Sequence, residues 1–210
     1  MMTYLKAAAA LAVMSVSACG GSTLSPEEQL ASLDERGDEI FETYIAGESI
    51  LSASAMPSRG SANFSGPLIT RGGVGNPLDD TDQVRVLFLG EINLAADFAA
   101  GTIAGLADNF VDVENLEEFG DGSSTLQSGG TVDGSLTFEG TQAASAAASY
   151  DLIASGELEG PNDSYLSFVN VGGSADVYGA NADALDIGGG ALVTFDGVNG
   201  FISYTGVAAQ

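Results

Sequence analysis

The chain has 210 residues, with 29 Asp and Glu against 5 Lys and Arg, a formal net charge of −24, no His, no Trp and a single Cys. A chain this acidic is repelled by nucleic acid, whose binders neutralise phosphates with Lys and Arg. A His-based triad, a His-ligated zinc site and a disulfide within the chain are all excluded, and 29 Gly beside 5 Pro speak for the tight turns and bulges of an all-β fold.

Residues 1–18 read as a secretion signal. Lys6 supplies the positive start, Ala7 to Val16 the apolar run, and Ser17 and Ala18 the small residues before cleavage. The run is shorter than the roughly 20 apolar residues that a membrane-spanning helix takes. Val16-Ser17-Ala18-Cys19 resembles the lipobox of bacterial lipoproteins, in which the cysteine becomes the first residue and carries acyl chains. The resemblance implies lipidation at Cys19, and several acyl chains anchor stably where one would be marginal. Gly20, where an aspartate would favour retention at the inner membrane, implies sorting to the outer membrane. The plainer alternative is ordinary cleavage beside an incidental Cys. Cleavage removes Lys6, the only lysine, and leaves Arg36, Arg59, Arg71 and Arg85 as the cations. The remaining charge resists aggregation and attraction to anionic lipid; adaptation to a salty medium explains it as well as a ligand does.

Residues 19–57 divide into a tether, a helix and a linker. Gly20 to Leu24 form the tether. Ser25 is placed to cap, Pro26 suits the first helical position, and Glu28 completes a capping box. Leu30, Leu33, Gly37, Ile40, Phe41 and Tyr44 follow at helical spacing and mark one apolar face. That face packs against the chain's own domain or binds a partner. Residues 47–57 form the linker.

From Ser58 to Gln210 the period changes to two. Leu136 and Phe138 alternate with Ser135, Thr137 and Glu139; Leu152, Ala154 and Leu158 alternate with Ser155, Glu157 and Glu159. Further strands are predicted near 59–66, 84–98, 101–110, 164–178, 189–196 and 199–207. Turn signals separate most of them, such as Gly-Pro-Asn-Asp at 160–163 and Gly-Val-Asn-Gly at 197–200. Ala143 to Ala148 suits either a short helix or a hairpin connection. Eight hairpin-linked strands close naturally into an antiparallel barrel without exposed edges. The acids on the polar strand faces and the few aromatics argue against a lipid-facing barrel, so the expected fold is an eight-stranded soluble β-barrel after a short N-terminal helix. Alternation sends Leu136, Phe138, Leu152, Leu158, Leu166 and Phe168 into its interior. Two acidic, glycine-rich inserts, 71–83 and 111–130, interrupt the strands as long loops.

Three stretches resemble the transferrin-binding-protein-B-like β-barrel domain of bacterial surface lipoproteins. Met56 to Gly66 resembles its opening strand, Ala96 to Gly105 its Asp-Phe, Gly, strand, Gly hairpin, and Gly179 to Ala182 with Gly188-Gly189 its last segment. Ala180 and Ala184 depart from that pattern, which often has proline and an acid there. The resemblance covers roughly 56–210 and implies an eight-stranded barrel on a lipid-anchored surface protein. Transferrin binding is not implied, because this chain has room for one barrel where the large family members carry two lobes.

The chemistry on offer is that of binding. With Cys19 used for acylation there is no second thiol or imidazole, and no carboxylate pair is singled out for glycosidase work, so no catalytic residue, cofactor or enzymatic activity is expected. Asn76, Asp79, Asp80 and Asp82 offer oxygen ligands at short spacing, but no calcium motif is complete, and a solvated turn explains them equally. The reading is an outer-membrane-anchored, non-catalytic binding module. It meets the membrane through acylated Cys19 and captures a ligand or protein for an uptake partner or outer-membrane receptor, with Asp79, Asp80, Asp82, Glu117, Glu118 and Asp121 in the partner-binding loops. A structural envelope lipoprotein and a secreted calcium-dependent module are the alternatives.

Overall fold

The computed structural model describes residues 24–74, 83–114, 127–195 and 198–210. Helix α1 spans Pro26–Ile40, and the strands are β1 (Ser61–Val74), β2 (Gln83–Asp97), β3 (Thr102–Val113), β4 (Ser128–Thr131), β5 (Asp133–Gln142), β6 (Ser149–Glu159), β7 (Tyr165–Tyr178), β8 (Ala184–Phe195) and β9 (Val198–Ala209). All pairings are antiparallel, and they close into a ring because β1 pairs with both β2 and β9 while β2 also pairs with β3. β4 and β5 both lie along β3, with the Val132 N–H donating to the Phe110 carbonyl between them at 2.9 Å. They are one interrupted stave, so nine segments build the expected eight-stranded barrel.

Alternation decides which face goes inside. On β6, Tyr150, Leu152, Ala154 and Leu158 are buried while Asp151, Ile153, Glu157 and Glu159 are exposed. Phe64, Phe88, Phe110, Phe138, Phe168, Tyr150 and Tyr204 fill the interior, together with the leucines that the sequence places there. Each fully buried side chain of this size contributes about 1.5–3 kcal/mol. An apolar interior and an acidic exterior are the reverse of the pattern in a barrel bathed by lipid.

The helix begins as the sequence predicts. Ser25 Oγ accepts from the Glu28 N–H at 3.3 Å, and the Ser25 N–H donates to Glu28 Oε2 at 2.8 Å. Its end differs. Residues Phe41–Ile45 form a widened turn in which the Ala46 N–H reaches the Phe41 carbonyl at 2.7 Å. The extra residue per turn shifts the apolar phase. Ile45 is therefore buried, whereas Phe41, expected on the packed face, is 47% exposed.

Several strands outrun their predicted bounds. β1 continues to Val74 and β3 to Val113, into segments read as loops, and β4 begins at Ser128 within one of them. β8 starts at Ala184 rather than 189. Pro67 lies inside β1, where the sequence predicts the strand's end. Its missing N–H falls in the interruption of the β1–β9 ladder between Ser65↔Ala209 and Leu68↔Gly206, so no bond is lost there. Ala143–Ala148 is the β5–β6 connection, not a helix.

The segment read as a linker is tied to one end of the barrel. The Leu51 N–H donates to the Val177 carbonyl at 2.8 Å, the Ala148 N–H to the Leu51 carbonyl at 2.6 Å, and the Ala53 N–H to the Ala146 carbonyl at 2.9 Å. Leu51 and Met56 pack on the interior core. Among the described residues, no helix is long and apolar enough to cross a membrane.

Candidate functional site

Helix α1 lies on the outside of the barrel. Leu87 and Leu89 of β2 and Val111 and Val113 of β3 face outward, and Leu30 and Leu33 cover them in a second apolar cluster. Polar contacts fix the helix in place. The Gln29 side-chain amide donates to the Asn109 carbonyl. Arg36 bridges Glu91 at 3.1 Å and donates to Ser65 Oγ at 2.5 Å. Gly37 lets the helix approach Pro67 closely, since a Cβ there would lie 3.0 Å from Pro67 Cγ.

Beyond that contact the helix and barrel leave a groove of about 300 Å³. Leu33, Phe41, Pro67, Ile69, Leu89 and Val207 give it an apolar floor, and Asp34, Asp38 and Asp186 line it with carboxylates. Among the described residues no Lys or Arg lines it. Burial raises the Asp34 carboxyl above its ordinary value, and Asp38 one helical turn away raises it further. Burial also raises Asp186, followed by the charge of Asp176, while the Ile187 N–H works the other way. Asp176 sits directly across the β7–β8 ladder from Asp186. Like charges in that position repel. The groove therefore combines apolar surface, an exposed aromatic ring and carboxylates short of counter-charge, which suits a cation on an apolar stem.

Aromatic rings pack together in the interior. Phe138 meets the Tyr204 ring edge-on at 5.3 Å, and Phe168 lies 6.3 Å from it. The buried hydroxyls of Tyr150 and Tyr204 have no hydrogen-bond partner among the described residues. Burial pushes both up to about 12, with Asp97 adding to the effect at Tyr150. Among the described residues, no group of three or more His, Cys, Asp or Glu is placed to hold a metal ion.

The residues that the sequence singled out lie elsewhere. Cys19, Asp79, Asp80, Asp82, Glu117, Glu118 and Asp121 all fall outside the described residues. At the border of one insert, burial and the neighbouring Glu114 raise the Asp112 carboxyl. Asp34, Asp38 and Asp186 were not singled out. In the sequence the first two are ordinary polar-face acids, and only the packing of α1 on β1 and β9, with the turn after it on β8, brings them near the third.

No protein-family model matches the chain, and no curated protein does. Among solved structures, a double mutant of the vaccine antigen transferrin binding protein B from Haemophilus parasuis Hp5 is similar at 13% identity and a TM-score of 0.40. That match covers 77% of this chain and 28% of the other, so the chain spans less than a third of that protein. Ail, the attachment invasion locus protein of Yersinia pestis, is similar at 11% identity and a TM-score of 0.33, covering 72% of this chain and 98% of that one. The likeness to the transferrin-binding-protein barrel is thus distant and concerns the fold; values this low carry no argument about activity or partners.

Proposed function

We propose that the protein is a non-catalytic binding module held at the outer membrane by acylated Cys19, and that its groove captures a basic segment of a protein partner, such as an uptake receptor. The observation that supports this reading is the lining of the groove: Asp34, Asp38 and Asp186 around an apolar floor, with no Lys or Arg beside them among the described residues. Arg36, the nearest helix cation, is engaged by Glu91 and Ser65. A lysine or arginine from a partner would lay its stem on Leu33, Phe41 and Val207 and bring its charge to the carboxylates. The acids at 79, 80, 82, 117, 118 and 121 add to the same attraction. Affinity of this kind weakens as salt screens the charges.

The test uses a fluorescent octa-arginine peptide as probe. Replacing Asp34, Asp38 and Asp186 together by Asn should weaken binding about tenfold at low salt, in line with the loss of charge pairing. Unchanged affinity would remove the groove as the binding site. Anchoring is tested separately. Cys19→Ala should move the protein from the membrane fraction to the soluble one, and continued palmitate labelling of that variant would contradict acylation at Cys19.

A further inference from the structure

Phe41 stands between two buried isoleucines, Ile40 and Ile45, yet is itself 47% exposed. It is the first residue of the widened turn Phe41–Ile45, and past that turn it is Ile45 that reaches the buried face. A lone exposed apolar residue on an open surface calls for no explanation. This one lines the groove, where among the described residues it is the one aromatic side chain.

The helix sets what borders the ring. Phe41 still has helical backbone angles, φ −60° and ψ −51°. A helical side chain leans toward the N-terminus, over the residues three and four positions back. For Phe41 these are Asp38 and Gly37. Gly37 is held so close to Pro67 that a Cβ would lie 3.0 Å from Pro67 Cγ, and it brings no side chain over the ring. Asp38 places a carboxylate beside the ring, Asp34 follows one turn further along the helix, and Asp186 enters the groove from β8. An open ring face thus shares the groove with carboxylates from two elements.

Lysine and arginine both answer that charge, but they use the ring differently. A guanidinium is planar and more weakly hydrated than an ammonium; it stacks on an aromatic face while its N–H donors point outward in its own plane to carboxylates. An ammonium is a compact, strongly hydrated point charge and loses more hydration on an apolar surface. Size limits the occupant as well. At about 300 Å³ the groove lies at the small end of ligand pockets, which run from roughly 300 to 1,000 Å³, so it takes one long side chain at a time.

We infer that Phe41 makes the groove selective for arginine over lysine. The guanidinium lies on the Phe41 ring, its N–H groups turn to the bordering carboxylates, and its methylene stem lies along the apolar floor. This selectivity rests on capture of a basic segment by the groove and adds the residue that chooses between basic side chains: the charge attracts either cation, and the ring discriminates.

The experiment compares fluorescent octa-arginine with octa-lysine, which carry equal charge, on the full chain. The preference for octa-arginine should be about fourfold larger in the native chain than in Phe41→Leu, the scale of a partly exposed cation–π contact. Phe41→Leu should leave octa-lysine binding within about twofold, because the floor stays apolar and the charges stay in place. Phe41→Tyr keeps the ring and should keep the preference. In the native chain the δ-methylene protons of bound octa-arginine should move upfield in the ring current of Phe41. Should Phe41→Leu fail to fold, that shift decides alone, and its absence would overturn the inference. An equal preference with and without the ring would also overturn it. If Asp34→Asn, Asp38→Asn and Asp186→Asn together weaken both peptides while the preference ignores Phe41, the selectivity alone falls. If that triple variant binds both peptides as the native chain does, capture by the groove falls and the selectivity with it.

Discussion

The outer wall formed by β1 to β3 and the parting between β7 and β8, where no ladder pair joins 165–172 to 190–194 among the described residues, both place apolar side chains on the outside of the barrel. Along the first, Leu87, Leu89, Val111 and Val113 are buried because the chain lays its own helix over them. Along the second, Val169 and Leu192 stay open. The contrast separates an outward apolar face that the fold covers from one that it leaves open. The first is held with polar clamps at Gln29 and Arg36 as well as with leucines, whereas the second has neither clamp nor cover among the described residues.

The sharpest way to break this comparison is to truncate one leucine from each region. Leu30→Ala removes a fully buried side chain and should cost about 3 kcal/mol in urea unfolding, within the range for large-to-small changes at buried sites. Leu192→Ala should stay within about 0.5 kcal/mol, as exposed substitutions do. A comparable cost at Leu192 would mean that the parting is closed in solution. A smaller effect should follow at the junction itself. Gly189→Ala places a methyl group against the Tyr204 ring, and overpacking of this kind costs about 1–3 kcal/mol. It should open the ladder downward, seen as faster hydrogen exchange at 173–178; unchanged exchange there would show that Tyr204 does not set where the strands separate.

The two regions were unequally legible in the sequence. The covered wall announced its helix through Ser25, Pro26, Glu28, Leu30 and Leu33, because a capping box and a 3.6-residue period are local signals. What the helix covers was not legible. Val111 and Val113 sit beside acids and next to glycine-rich sequence, and they read as the start of a loop. The interior was legible for the same reason as the helix: Leu136, Phe138, Leu152 and Leu158 need only the two-residue period to be placed. The parting was not. Residues 164–178 read as one strand, and nothing local says that its partner ladder stops at Gly173. The groove was hidden more deeply, since Asp34 and Asp186 are far apart in the chain and meet only through packing.

A smaller effect is expected from the clamp on the covered side. Arg36→Gln removes the bridge to Glu91 and weakens the contact with Ser65. Both partners of the bridge are partly exposed, so solvent screens it, and the cost should be about 0.5–1 kcal/mol. The loss should shrink in high salt, and hydrogen exchange should quicken in α1 but not at 165–169. Equal quickening in both regions would show that the helix braces the parting as well.

The smallest expected effect is that of pH, and it too divides the regions. Burial raises the carboxyls of Asp34, Asp108, Asp112 and Asp186 above the ordinary 3.8, with Glu91 adding to the effect at Asp108. Between the unfolded and folded values the folded chain binds more protons than the unfolded one, so stability rises as pH falls through that window. Glu28 runs the other way. The Ser25 backbone N–H and hydroxyl hold it below its ordinary 4.5, so its capping contribution is present above that value and is lost as pH falls through the folded one. Stability should therefore rise on mild acidification from neutral pH and turn down again once the cap is protonated. The uncharged edges at 165–172 and 190–194 carry no carboxylate that could follow this curve. Thermal melts across the acid range read the global effect, and exchange of α1 amides, corrected for intrinsic rates, reads the local one. Asp34→Asn with Asp186→Asn should flatten the rise while leaving the downturn. If the rise persisted in that variant, the groove carboxylates would not be its source, and Asp108 and Asp112 of β3 would be the next pair to replace.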